Sequence, residues 1–276
     1  MSDISAFRYD GKRALVVGGA TGMGAAAAQT AANLGAEVIV LDYAPVDFPV
    51  KESIQVDLRD RAAVDAALDQ VGGPVDALFS AAGVADGTPG IMKINFIAHR
   101  HIIQRLVGDG TLGRGSAVCM ISSVAGLGWE NQMPMLLEFL STPDYESADA
   151  WIQSHEGTDS YGFSKQVMNC YVASQGYPLL EKGVRINAIC PGPTDTPLAR
   201  ANADLWLTFA QDYRDATGTQ HLTPDQMGDV MVFLNSAAAS GISGVNLLVD
   251  TGHVMSSMTG SWEPGAPMIN MMMGRS

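Results

Sequence analysis

Cysteine is scarce: Cys119, Cys170 and Cys190 are the only three in 276 residues. Each sits in an apolar run, without metal-ligand spacing or the even count of a disulfide framework, so all three read as buried, reduced thiols. Basic residues are few as well, 16 Lys+Arg against 29 Asp+Glu, for a formal charge of −13. No Lys or Arg cluster reverses that sign locally, which argues against nucleic acid or an anionic membrane surface as a partner. Nowhere do 18 uncharged apolar residues run together, which excludes a transmembrane helix. Metal-ligand spacing is missing, and His101 and His155 read as surface or internally satisfied polar groups. The stretch from Met1 to Lys12 carries acidic residues and no apolar leader core, so secretion is not expected and the cytoplasm is the expected compartment. Internal repeats and low-complexity tracts are absent too.

What the chain does have is rhythm. RALVVGG from Arg13 is an apolar run ending in glycines, followed by an Ala-rich helical segment from Gly24 to Leu34 and then by AEVIVLD. The alternation continues with IQVDL at 54–58, a helix over 60–70 with Val64, Ala67, Leu68 and Val71 on one face, DALFSAAG at 76–83, a helix over 91–107 and SAVCMISS at 116–123. It resumes with a helix from Tyr161 to Leu180, VRINAICPG at 184–192, a helix from Pro224 to Asn235 and NLLVDTG at 246–252. Near-continuous apolar strands alternating with helices predict an α/β fold: one doubly wound, Rossmann-type parallel sheet covered on both faces, spanning residues 1–276 as a single domain. Two segments break the rhythm. Residues 128–160 are acidic and partly helical and read as an insertion. The tail at 253–276, with Met268 and the run Met271 to Met273, reads as an adaptable contact surface or as disorder.

The first strand ends in Val17-Gly18-Gly19-Ala20-Thr21-Gly22-Met23-Gly24, directly before the Ala-rich helix. Glycines 18, 22 and 24 permit a tight turn and a close approach of backbone amides to a pyrophosphate at the positive helix N-terminus. Such a loop gains specificity from its place between strand and helix, and from an acidic residue ending the second strand. Asp42 is that residue; its carboxylate can accept from both hydroxyls of a ribose and would repel a 2′-phosphate. Neither Thr21 nor Tyr43 supplies a compensating cation, so the expected cofactor is NAD(H). Asp57, beside Leu58, could accept from the adenine amino group or cap a helix.

Tyr161-Gly162-Phe163-Ser164-Lys165 puts a phenol and an ammonium on one helix face. A nearby lysine cation and a positive nicotinamide ring would together bring the phenol, with an ordinary pKa of about 10, into the range of a working acid/base. Upstream, Ile121-Ser122-Ser123-Val124-Ala125-Gly126 delivers a hydroxyl, from Ser122 or Ser123, to the carboxyl edge of the sheet.

The G-x-x-x-G-x-G spacing resembles that of the short-chain dehydrogenase/reductase family, usually written TGxxxGxG, with Val17 in the place of Thr. The resemblance runs from about Lys12 to Gly252. Ser80-Ala81-Ala82-Gly83 is similar to the family's NNAG segment, keeping the Ala-Gly beside the cofactor and lacking both Asn side chains. In the family order, Asn95, Ser123, Tyr161 and Lys165 match the catalytic set. The resemblance implies that Ser123 anchors the substrate oxygen, Tyr161 exchanges its proton, Lys165 lowers the phenol pKa and holds the ribose, and Asn95 holds a water. Pro191-Gly192-Pro193-Thr194-Asp195-Thr196 looks like the PGxxxT segment, which implies that Thr194 and Thr196 anchor the nicotinamide carboxamide.

Ser123 and Tyr161 stand 38 positions apart, well beyond the usual family spacing. A long helical insertion here, with ISSVA and PGxTxTPL-like sequences, resembles the bacterial 3α-hydroxysteroid dehydrogenase/carbonyl reductase subgroup and implies a bulky alicyclic or steroid substrate. Trp129, Met133, Met135, Leu136, Phe139 and Trp151 would put apolar bulk beside the pocket or against a second subunit. The expected activity is NAD(H)-dependent interconversion of a secondary alcohol and a ketone. Alternatives are a dehydrogenase of small or terpenoid alcohols, and an inactive NAD-sensing protein, against which the presence of both Tyr161 and Lys165 counts. The resemblance also implies a homotetramer or homodimer.

Overall fold

The computed structural model describes residues 4–275; Met1–Asp3, the start of the stretch read for a leader, and Ser276, the end of the tail, lie outside the described residues. Seven parallel strands form one sheet: β1 (Arg13–Val17), β2 (Glu37–Asp42), β3 (Glu52–Gln55), β4 (Ala77–Ser80), β5 (Ala117–Ile121), β6 (Arg185–Pro191) and β7 (Asn246–Val249), in the order β3-β2-β1-β4-β5-β6-β7. This is the doubly wound architecture that the alternation predicts. The central strands are buried along almost their whole length, as strands covered on both faces must be.

Helices close the two faces. α1 (Gly22–Asn33) turns Ala27, Ala28 and Ala31 into one side of the core, beside Met227, Met231 and Val232 of a later helix. α2 (Arg61–Val71), capped by Asp60, buries Val64, Ala67, Leu68 and Val71, the face read from the sequence. A π turn at Lys93–Ile97 leads into α3 (Ala98–Gly108). The third strand lies two residues earlier than the IQVDL reading. Val56 and Leu58 continue the same alternation beyond the sheet edge, where they turn inward to line a cavity.

The insertion folds into α4 (Met133–Leu140) and α5 (Tyr145–Ser154), and part of its apolar bulk enters the chain's own core. Leu136 and Phe139 are fully buried in the chain's own core, with Trp129, Met133, Met135 and Trp151 packed against it. Phe139 sits edge-on to Phe163 of α6 (Tyr161–Glu181), and Trp151 stacks on the same ring. Arg100, also fully buried, fastens the turn between the two inserted helices. It donates to Thr142 Oγ1 at 3.0 Å and to the Asp144 carbonyl at 3.0 Å, and lies over the Phe139 ring.

After β6 come three short helices, α7 (Pro197–Arg200), α8 (Ala203–Trp206) and α9 (Gln211–Thr217), then α10 (Pro224–Asn235), which carries Met227, Met231 and Val232. The tail is folded, contrary to the reading of disorder, and Met268 and Met271 on it stay exposed. α11 (His253–Met258) and α12 (Ala266–Met272) dock beside the β5 exit, where Val254 and Ile269 join Val124 in a small core that Met258, Met272 and Met273 cover. Asn131 Nδ2 donates to the Met273 carbonyl at 2.6 Å and ties tail to insertion. No helix among the described residues is long and apolar enough to cross a membrane.

Candidate active site

Chain order reverses between β1 and β4, the place where open α/β sheets bind ligands beyond their carboxyl ends. A cavity of about 450 Å³ opens there. The glycine loop forms its floor through Gly18, Thr21, Gly22 and Met23, and the β2 exit adds Asp42 and Tyr43. Asp57 and Leu58 close the far side, while Ala81, Ala82 and Gly83 after β4, with Thr196, complete the near wall. The glycines serve two ends. A Cβ on Gly18, whose φ is +85°, would run into the Ala82 backbone, and one on Gly24 into the Gly18 carbonyl, so these two let loop segments touch. A Cβ on Gly22 would meet nothing closer than 3.7 Å; its bareness leaves room over the helix N-terminus.

That N-terminus is unspent. Asp60, Asp144, Ser160 and Thr223 cap α2, α5, α6 and α10 with side-chain oxygens, whereas Thr21 makes no such bond to α1. Unpaired amides at a positive helix end constitute an anion site. Asp42 is held at the loop's edge by two backbone donors, Ala20 N and Ala44 N, each at 2.8 Å. The uncapped amides, the open space at Gly22 and this fixed carboxylate fit the pyrophosphate and ribose of a dinucleotide.

The structure decides against one of the two sequence readings of Asp57. Asp57 does not cap α2, since Asp60 does; its carboxylate grips Arg59 at 2.6 Å, and that guanidinium holds it below the usual carboxylate range. Arg59 also lines the cavity, a cation that the search around Thr21 and Tyr43 missed, although it stands next to Leu58 in the chain. Pro191, Gly192 and Thr194 at the β6 exit, like Ser123, Tyr161 and Lys165, are not among the residues lining this cavity. Gly192 N bonds the Val249 carbonyl and the Thr194 hydroxyl the Gly192 carbonyl, so they shape the β6 exit. The Thr196 hydroxyl accepts from Ala199 N and caps α7, which leaves its proton available.

Around the β4 end, where the NNAG side chains are missing, two polar side chains from elsewhere bond the backbone. Asn235 of α10 donates to the Leu78 carbonyl at 2.9 Å, and His99 of α3 bonds the Ala82 carbonyl at 3.0 Å. Burial pushes His99 down to about 4, so its ring is neutral and Nε2 must be the donor.

The catalytic candidates meet at the β5 exit. Lys165, buried, donates from Nζ to the Ile121 carbonyl at 2.8 Å and lies 5.3 Å from the centre of the Tyr161 ring. The Ser123 hydroxyl accepts from Ala125 N and lies close enough to the Tyr161 phenol to favour its ionised form, whereas Ser122 is buried and donates to the Lys165 carbonyl. Geometry thus favours Ser123 over Ser122 as the hydroxyl facing the phenol. Asn95 sits in the π turn with its side chain fully engaged: Oδ1 accepts from Val84 N at 2.8 Å, and Nδ2 donates to the Val84 carbonyl and to Ser164 Oγ. Its side chain therefore positions the β4 loop.

Burial pushes the Tyr161 phenol up to about 12, against the pull of Ser123, and brings Lys165 down to about 8. The ammonium alone does not make the phenol acidic, because both groups are desolvated together. Trp206 of α8 packs on the phenol with ring centres 4.8 Å apart, a neighbour that lies 45 residues downstream and carries no motif. No group of three His, Cys, Asp or Glu residues among the described residues could hold a metal ion.

Comparisons with known proteins agree with this geometry. A family model described as short chain dehydrogenase matches residues 12–135, and one described as enoyl-(acyl carrier protein) reductase matches residues 146–254. They part inside the inserted segment. A coniferyl-alcohol dehydrogenase of a Pseudomonas species is 24% identical over 87% of this chain and 96% of its own. A cis-4-hydroxycyclohexanecarboxylate dehydrogenase of Sinomonas cyclohexanicum is 28% identical over 87% of this chain and 95% of its own. Among solved structures, a 3-alpha-hydroxysteroid dehydrogenase of a Pseudomonas species, in complex with NADH, superposes with a TM-score of 0.71 at 24% identity, covering 91% of this chain and 99% of that one. Loop, sheet order, Ser-Tyr-Lys cluster and matched models lead to one conclusion: the chain belongs to the short-chain dehydrogenase/reductase family.

Proposed function

We propose that this protein is an NAD(H)-dependent oxidoreductase that interconverts a ring-bearing secondary alcohol and its ketone. The observation that carries the reading is the meeting of the Tyr161 phenol, the Ser123 hydroxyl and the Lys165 ammonium beside a cavity shaped for a dinucleotide. Bound nicotinamide supplies the hydride acceptor or donor. The chain's own part is proton handling and orientation. Ser123 holds the substrate oxygen, Tyr161 takes the alcohol proton or returns it, and Lys165, fixed by the Ile121 carbonyl, stabilises the phenolate.

Preference for NAD(H) rests on charge. Asp42 and Asp57 outweigh Arg59 at the adenosine end, and Arg59 is already paired, so a 2′-phosphate would meet net negative charge. The ring preference rests on Trp206, which gives the phenol an aromatic wall. The relatives' names, which specify a coniferyl alcohol, a hydroxycyclohexane acid and a hydroxysteroid, support it. A dehydrogenase of small or terpenoid alcohols is the competing reading.

Both preferences are measurable. NADH is expected to bind at least about tenfold tighter than NADPH and to be oxidised with cyclic or steroidal ketones. A purified protein silent across a ketone panel with both cofactors would be a sensor and not an enzyme. Trp206→Ala is expected to raise KM about tenfold for a cyclic ketone while changing it little for a short acyclic one; equal effects on both would remove the ring argument.

A further inference from the structure

The catalytic tyrosine is held by more than its own helix. Ser160 already caps α6 by accepting from Phe163 N at 3.3 Å, the ordinary local device. A second acceptor comes from a loop 75 residues away: Asp86 Oδ1 takes the Tyr161 backbone N–H at 2.6 Å. The other end of residue 161 is held too. Its carbonyl accepts from Ser164 Oγ at 2.6 Å, Ser164 is bonded by Asn95, and Asn95 clamps both backbone atoms of Val84, two residues before Asp86. The result is a closed hydrogen-bonded circuit that locks the peptide groups flanking Tyr161 to the segment 84–86. The same loop lines the dinucleotide cavity through Val84 and Thr88.

A carboxylate suits a helix N-terminus, but beside a phenol that must ionise it carries a cost. Around the phenol, Lys165 approaches from its own helix, Ser123 from the β5 exit, Trp206 from α8 and Asp86 from the β4 loop; of these only Lys165 and Asp86 carry charge. Asp86 therefore adds a negative charge that disfavours phenolate, opposing Lys165. A neutral acceptor would still take the Tyr161 N–H, with less help from the helix dipole but without that cost.

We propose that Asp86 is a positioning residue that fixes Tyr161 against the cofactor loop and, by its charge, sets the pH at which the phenol works. The proposal rests on the assignment of Tyr161 as the proton-transfer group. Asp86→Asn keeps an acceptor and removes the charge; Asp86→Ala removes both.

In the alcohol-oxidising direction, the limb of kcat/KM that rises with pH is expected to move roughly half a unit lower in Asp86→Asn. Asp86→Ala should move it likewise and also lower kcat about tenfold, as expected of a misplaced proton donor. High salt should draw the limb of the unmodified protein toward that of Asp86→Asn and leave the variant unmoved. Hydrogen exchange at the Tyr161 amide gives a readout independent of turnover: it should stay slow in Asp86→Asn and quicken in Asp86→Ala. A merely structural cap would lower the melting temperature in both variants and leave the limb where it was, which overturns the proposal. Should neither variant fold, a limb indifferent to salt in the unmodified protein overturns it as well. Turnover persisting in Tyr161→Phe would instead defeat the underlying assignment, so the two failures are distinguishable.

Discussion

Tyr161→Phe is expected to lower kcat/KM by about ten-thousand-fold while leaving the Kd for NADH within about twofold. The exchange deletes one oxygen and almost no volume. Phe keeps the contact with the Trp206 ring, and the caps from Ser160 and Asp86 bind the backbone of α6, not the phenol, so fold and helix start are untouched. Asp42, Gly22 and the α1 amides, which form the dinucleotide cavity, are also unaltered. Only proton transfer is removed, and with it the influence of Ser123 on the phenol. Steady-state kinetics beside NADH fluorescence titration separates the two. Turnover near the unmodified rate would disprove the acid/base role, and loss of NADH binding would place the phenol in the cofactor site and not in the chemistry.

Local pattern carried much of this architecture. Apolar runs of strand length, the Ala-rich helix and the glycine loop are written in contiguous residues, so sheet, turn and the place of Asp42 were readable without coordinates. The pairing of Tyr161 with Lys165 was readable for the same reason, since four residues span one helical turn. What escaped depended on contacts between distant segments. Apolar residues in the insertion have the same composition whether they face a substrate, a second subunit or their own core; only packing shows that Leu136 and Phe139 took the last course. The Met-rich tail misled similarly, because Val254 and Ile269 become a core only when they reach Val124. Asp86 and Trp206 stand 75 and 45 residues from Tyr161 and belong to no motif. Nor does a sequence disclose that the π turn at Asn95 aims its amide at Val84.

Lys165→Met is expected to abolish useful activity, by at least a hundredfold, and at the same time to make the ligand-free protein more stable. Lys165 is 3% exposed, donates to one backbone carbonyl and has no carboxylate in ion-pair contact among the described residues, so burial brings its pKa from 10.5 to about 8. The folded pKa lies below the unfolded one. Between about 8 and 10.5 the unfolded chain therefore binds more protons than the folded one, and stability rises with pH across that window. Below it the full cost of the buried charge applies, about 3 kcal/mol. Methionine fills a similar unbranched volume without a charge, though it leaves the Ile121 carbonyl short of a donor, an offset of about 1–2 kcal/mol. The variant should gain about 1–2 kcal/mol in urea unfolding at pH 7, lose that gain between about pH 9 and 10, and fall about 1 kcal/mol below the unmodified protein by about pH 10.5. Equal stabilities at both pH values would mean that the cation carries no burial cost in the fold. The expected pattern instead makes the ammonium a group kept against the interest of the fold, for the sake of the phenol beside it.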